Sequence, residues 1–225
     1  MSIILHIESA TTVCSVSIAE NGILIDSIDY DNGYSHAENL HVFVKELLEK
    51  NKIDMHQLAA IAVSKGPGSY TGLRIGVSAA KGFSYALNIP LISVDTLQSM
   101  TIDAIQKMPN CDYYCPMLDA RRMEVYMGIY NRELIIQKDV EAFIMNEHTI
   151  SQFKNYHSIC FFGNGFSKGM EILNKIEGAQ FIDNIAPSAK SMVDIAFQKY
   201  RKDEFEDVSL FEPFYLKDFL ILGKK

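Results

Sequence analysis

Lys65-Gly66-Pro67-Gly68-Ser69-Tyr70-Thr71-Gly72-Leu73-Arg74-Ile75-Gly76 is the stretch on which the reading of this chain turns. The apolar run before it, Leu58 to Val63, is short and bounded, as a buried strand is. The residues after it, Thr71 to Leu87, contain no proline and keep helix spacing. The unit is therefore strand, glycine-rich turn, helix. Such a unit aims backbone N–H groups at whatever lies over the turn, and a helix N-terminus favours anions. A plainer reading stands beside it: a tight bend that needs glycine for positive φ. The turn is not a phosphate loop of the G-x-x-x-x-G-K-[ST] type, because no glycine here has Gly-Lys at that distance. It also misses the dinucleotide fingerprint by one residue, with Thr71 at the third glycine's place and Gly72 after it.

Within the helix, Gly72, Gly76, Ala80 and Ser84 recur every four residues and make a stripe without bulk. Each interior glycine costs about 1 kcal/mol against alanine, so something must offset Gly72, Gly76 and Gly82. A bare stripe lets a neighbouring element sink close. That neighbour belongs either to the same domain or to another subunit.

Upstream, Ile3 to Ile7 reads as a strand, Val13 to Ala19 alternates with period two, and Asn21-Gly22 is a hairpin signal leading to a third strand, Ile23 to Ile28. Between the first two strands lies Glu8-Ser9-Ala10-Thr11-Thr12. This acid–hydroxyl turn could hold a metal-bound phosphate, or its hydroxyls could simply stabilise the bend. Ser35-His36-Ala37-Glu38 is a capping-box pattern before Leu40, Phe43, Val44, Leu47 and Leu48 at helix spacing. Downstream, Ile89 to Val94 is a strand, and Asp95 caps a helix to about Lys107. The order β-β-β-α-β-α-β-α matches, by analogy, the ribonuclease-H-like core of the actin, sugar-kinase and chaperone ATPase superfamily. The second half shows strands at Tyr113–Leu118, Met123–Tyr130, Leu134–Gln137, Ser158–Phe162 and Ala179–Ile182. A helix follows Gly163-Asn164-Gly165 and another runs from Pro187-Ser188 to about Arg201. This suggests a smaller, partly degraded second copy of the same topology.

The 225 residues suffice for one large domain or two small ones, and 48% hydrophobic with 22% charged residues suits a globular core. A net charge of −7 disfavours a protein that grips nucleic acid on its own. Cys14, Cys111, Cys115 and Cys160 form no C-x-x-C pair, which with the lack of a leader pattern fits reduced thiols in the cytoplasm. No apolar run reaches membrane-spanning length. The histidines lack metal-ligand spacing; His36 and His41 are five apart and diverge by about 140° on one helix. Asp119, Arg121 and Glu124 form the densest charged cluster near a strand turn. It could hold a partner residue or an anion, or be an exposed hairpin ion pair of little worth.

Four blocks carry a resemblance: Ile4-Leu5-His6-Ile7-Glu8-Ser9-Ala10-Thr11, the glycine-rich block from Lys65 to Gly76, Asp119-Ala120-Arg121-Arg122 with Glu124 and Tyr126, and Pro213-Phe214-Tyr215-Leu216-Lys217. They resemble the TsaB (YeaZ) family of bacterial tRNA threonylcarbamoyladenosine biosynthesis proteins, nearly end to end. The resemblance implies a two-domain actin-like (ASKHA, ribonuclease-H-like) α/β fold with mixed sheets. Residues 1–107 would form the N-terminal domain carrying the partner interface, and 108–225 the smaller second domain. It implies a non-catalytic paralogue of TsaD that pairs with TsaD, the transferase acting on adenosine 37 of tRNAs reading codons that begin with A. The ATPase TsaE joins the pair, and the same surface supports homodimers. Partner contact would then fall on Ala37, Leu40, Val44 and Leu47 of one helix and on Gly72, Leu73, Gly76, Ala80 and Phe83 of the other. Any remnant nucleotide or anion loop would comprise Glu8, Ser9, Thr11, Thr12, Gly66, Gly68 and Ser69. The chain departs from the family in reading Glu-Ser-Ala-Thr where Asp-Thr-Ser-Thr is usual, and it lacks the paired histidine ligands of TsaD. No cofactor is therefore expected to be firmly bound; weak ATP or ADP binding belongs more naturally to TsaD, and tRNA is met only indirectly. The alternative is a stand-alone glycoprotease-like peptidase or nucleotide hydrolase. A sugar- or acetate-kinase relative is a third reading, but Gly163-Asn164-Gly165 is too slight a signal for its adenosine pocket.

Overall fold

The structure, a computed structural model, describes residues 2–31 and 36–217, with the side chains of His36 and Ala37 left out. The capping-box Ser35 and the side chain of Ala37 thus lie outside the described residues.

Three antiparallel strands open the chain: β1 (Ile3–Glu8), β2 (Cys14–Glu20) and β3 (Ile23–Tyr30). Asn21 and Gly22 both take positive φ, 51° and 81°, which matches the twist of a two-residue hairpin. After α1 (His36–Lys50), β4 (Leu58–Gly66) lies parallel to β1; after α2 (Tyr70–Leu87), β5 (Leu91–Asp95) lies parallel to β4. The sheet order is β3-β2-β1-β4-β5. Helix α3 (Thr96–Lys107), capped by the Asp95 carboxylate on the Gln98 N–H, leads into the second unit.

That unit repeats the plan. Antiparallel β6 (Tyr113–Asp119), β7 (Glu124–Asn131) and β8 (Ile136–Ile144) are followed by a four-residue α4 (Thr149–Gln152), β9 (Ile159–Phe162), a 3-10 turn running into α5 (Met170–Leu173), and β10 (Ala179–Ile182). Read from β8, the order is β8-β7-β6-β9-β10, with parallel and antiparallel pairs at the same places as in the first sheet. Two ribonuclease-H-like units in tandem make the actin-like architecture that the element order predicts. The second is indeed reduced: its crossover helices have shrunk to single turns. The third strand of that unit starts later and runs further than the sequence suggests, because Leu134 takes φ 60° and belongs to the turn.

The first sheet is apolar on both faces. Ile3, Leu5, Ile7, Val16, Ile18, Ile61 and Val63 meet Leu40, Val44 and Leu47 of α1 and Val77 and Ala80 of α2. The opposite face, with Ile4, Ala60, Ala62, Ile92 and Val94, is covered by Met192 and by Ala196 of α6 (Val193–Arg201). The tail stays there. Glu206 bridges Leu91, Lys81 reaches the Phe211 carbonyl at 2.9 Å, and the Phe214 N–H donates to the Lys65 carbonyl at 2.7 Å. The sequence reading assigned 108–225 to the second unit; the structure returns residues 189–214 to the first sheet, whose second apolar face would otherwise be bare to water.

Candidate functional site

At the head of α2, Ser69 is the N-cap, its hydroxyl accepting the Gly72 N–H at 3.3 Å. The Ser69 N–H donates to the Ala10 carbonyl at 2.6 Å, and the Ser9 hydroxyl donates to the Gly72 carbonyl at 2.9 Å. The turn between β1 and β2 is thereby pressed onto the helix. A Cβ at Gly68 would run into Ala10, at Gly72 into the Ser9 carbonyl, and at Gly76 into the Ser9 hydroxyl. The small-residue stripe therefore receives the chain's own first turn.

This corrects two expectations. Gly72, Gly76 and Ala80 are buried inside the molecule, as are Leu73, Leu40, Val44 and Leu47, so none of the seven offers a surface to a partner. The physical reason is the amphipathic pattern: the apolar positions at helix spacing face the sheet, and the positions between them face outward. The expected anion loop is likewise occupied by protein. Glu8, Ser9, Gly68 and Ser69 do come together, but around the Ala10 backbone. The Thr11 hydroxyl accepts the Val13 N–H at 3.3 Å, and the Thr12 hydroxyl donates to Asp31 at 2.9 Å. Gly66, at φ 109°, is closed over by the Phe214 carbonyl.

Glu8 points inward and is fully buried, its Oε1 accepting the Ala10 N–H at 2.6 Å. Burial raises its pKa to about 7, opposed by that hydrogen bond. His6, two residues earlier on the same face of β1, is also fully buried, its Nδ1 donating to the Ser17 carbonyl at 3.3 Å. Burial lowers its pKa to about 4. Beside them the Ser64 and Thr96 hydroxyls share a 2.6 Å hydrogen bond. Among the described residues no group of three or more His, Cys, Asp or Glu is placed to hold a metal ion.

The exposed faces of α1 and α2 border an open groove of about 650 Å³. His41 lines it from α1; Arg74, Ile75, Ser78, Ala79, Gly82 and Phe83 line it from α2. The His41 and Phe83 rings meet edge to face at 5.5 Å. Val42 and Tyr85, 56% and 84% exposed, stand on the outer faces of the same two helices. Of the expected contact residues whose side chains are described, only Phe83 lies here. Gly82 is the informative one. Among the described residues a Cβ there would meet nothing within 4 Å, so no packing among them accounts for a glycine in mid-helix. The signal in the sequence was the set of apolar residues off the core stripe, Val42 and Tyr85, together with this unexplained glycine. In the second unit, Asp119 pairs with Lys168, and Glu124 pairs with Lys217 of the tail.

The sequence model of the family described as tRNA N6-adenosine threonylcarbamoyltransferase, TsaD, matches residues 32–219. The tRNA threonylcarbamoyladenosine biosynthesis protein TsaB of Buchnera aphidicola subsp. Baizongia pistaciae is 30% identical over 89% of this chain and 92% of its own. The chain belongs to the TsaB (YeaZ) family. The TsaB of Escherichia coli is 28% identical over 96% of this chain and 94% of its own. The solved YeaZ from Pseudomonas aeruginosa superposes with a TM-score of 0.81 at 23% identity, covering 96% of this chain and all of that one, a likeness of fold.

Proposed function

We propose that this chain serves tRNA threonylcarbamoyladenosine formation as a non-catalytic, activating subunit that pairs with TsaD through the outer faces of α1 and α2. The observation that carries the reading is Gly82. It is exposed in mid-helix, at a cost of about 1 kcal/mol, and it lines a groove flanked by Val42 and Tyr85. A helix face that keeps a glycine without internal cause is one against which another backbone packs closely. The same surface serves homodimers of the free chain. TsaE joins the assembled pair in the cytoplasm, and TsaD supplies the nucleotide, the metal and most of the contact with tRNA. The protein charge of −7 and the occupied loop beside Ser69 support that division of labour. No helix of the described residues is long and apolar enough to cross a membrane.

The test is Gly82→Arg, since this position has room for a side chain and none is displaced inside the fold. Size-exclusion chromatography with light scattering, on wild type and variant alone and mixed with TsaD of the same organism, reads association directly. Wild type forms a one-to-one complex at the expense of homodimer, and the variant stays uncomplexed with its thermal transition intact. A variant that still pairs with TsaD would place the interface elsewhere.

A further inference from the structure

The turn between β6 and β7 is the second unit's counterpart of the closed β1–β2 turn, and it is built differently. Arg121 and Arg122 stand side by side at φ 71° and 49°. A residue with a Cβ is strained in this region, which glycine enters freely. The turn is pinned by Ala120 N–H to the Glu124 carbonyl at 3.0 Å and by Arg121 N–H to Asp119 Oδ1 at 2.6 Å. Both of its acids are already matched, Asp119 by Lys168 and Glu124 by Lys217. Neither arginine side chain has an ion-pair or hydrogen-bond partner among the described residues, and both are exposed. Two uncompensated positive charges thus sit together on a chain whose net charge is −7.

Their place in the fold is also telling. β6 and β9 run parallel, and the turns that follow both strands lie at their carboxyl ends, where sheets of this kind receive ligands. The Asn164 side chain, in Gly163-Asn164-Gly165 after β9, accepts the Asp119 N–H at 2.9 Å and ties the two turns together. From the other side, the Tyr215 ring lies 4.7 Å from that of Tyr70, which carries the strap to Lys217 beside Tyr126.

We infer that Arg121 and Arg122 form a contact site for phosphate groups of an RNA backbone. Guanidinium forks match phosphate oxygens in pairs. Asp119 and residues 121–123 are exposed, so the turn stands out from the surface rather than enclosing a ligand. That shape suits a strand passing over it better than a small molecule, which needs a cavity. Phosphate contacts of this kind position an RNA without reading its sequence. The inference rests on the proposed role in tRNA modification, with tRNA as the RNA, and makes this turn a secondary foothold beside TsaD.

The decisive variant is R121G/R122G, because glycine accepts both φ values and keeps the turn while removing both cations. An unmodified tRNA transcript, labelled with fluorescein, is titrated by anisotropy from 50 to 200 mM salt with the one-to-one mixture with TsaD and with the chain alone. The expected result is roughly tenfold weaker binding at the low-salt end and a salt slope smaller by about 1.5, two phosphates' worth of released counterions, with light scattering showing unchanged association. Loss of association with unchanged RNA slope would assign the arginines to carboxylates of the partner and overturn the site. Identical curves for wild type and variant in both settings would overturn it as well. If wild type fails to pair with TsaD while the chain alone still loses salt-dependent RNA binding in the variant, the pairing is wrong and the arginines stand.

Discussion

The two sheets of this molecule share one topology and differ in how they are covered. In the first, full-length α1 and α2 pack one face, and a third helix from the far end of the chain packs the other. In the second, α4 and α5 span four residues each, and aromatic rings pack together in the core of that unit. Phe153 and Phe161 meet at 5.1 Å, and Phe161 and Phe166 both stack near Phe181 at 5.8 and 5.9 Å. Long helices have two faces, one for the core and one to spare; single turns have none to spare. The first unit therefore keeps an exposed helical surface, where the proposed partner contact lies. The second keeps only its turns, and the exposed arginines are on one of them.

The contrast can be broken at its most crowded points first. Gly76→Leu forces a side chain into Ser9 and should cost at least about 4 kcal/mol, unfolding much of the protein at ambient temperature; urea unfolding followed by circular dichroism measures it. Were Gly76→Leu tolerated, the stripe would have to be free for a partner after all. Phe161→Ala, a buried ring between Phe153 and Phe181 in the second unit, should cost about 3–5 kcal/mol in the same assay.

The buried polar pair on β1 is the next in size, and its sign can be worked out. Folding raises the Glu8 pKa from an ordinary 4.5 to about 7, so the folded state holds a proton that the unfolded state has lost. That contribution is full below pH 4.5 and is lost as pH rises to 7, at about 1.4 kcal/mol per pH unit. His6 runs the other way. Its pKa falls from 6.5 to about 4, so its contribution is full above 6.5 and is lost on acidification. Between pH 4.5 and 6.5 the two slopes oppose each other. Glu8→Gln should therefore gain stability relative to wild type as pH rises from 4.5 to 7, by up to about 3 kcal/mol. It should also expose the acid sensitivity of His6. Thermal melts across that range check it, and parallel wild-type and variant profiles would show that Glu8 is not titrating inside the fold.

The smallest effect is the sharpest discriminator between the glycines of α2. Gly82→Ala should stabilise the isolated chain by about 1 kcal/mol, with the rise in melting temperature measured by calorimetry, while Gly76→Leu collapses it. A loss of stability at Gly82 would mean that it, too, has an internal role.

Much of this was legible beforehand, and the residues show why. Alternation in Val13–Ala19, the Asn21-Gly22 hairpin and the Asp95 cap are local signals, and each element they predict is in place. The order of those elements was enough for the architecture. The stripe at Gly72 and Gly76 was equally visible, and so was its meaning that something packs closely there. What packs there was not visible, because Ser9 is 63 residues away from Gly72 in sequence and periodicity carries no address. The family resemblance puts a partner contact on this helix and so on Leu40, Val44 and Leu47; spacing only defines their face, and the assembled sheet shows that this face looks inward.

Sequence by itself thus determined the elements, their order, the tandem plan and the family, since these depend on local propensity and on motifs that are contiguous. Tertiary structure alone decided that the glycine-rich helix start is closed by the first turn, that residues 189–214 return to the first sheet, and that Gly82 rather than Gly76 faces outward. Those are outcomes of long-range burial, settled by which apolar faces can exclude water from one another once the whole chain is in place.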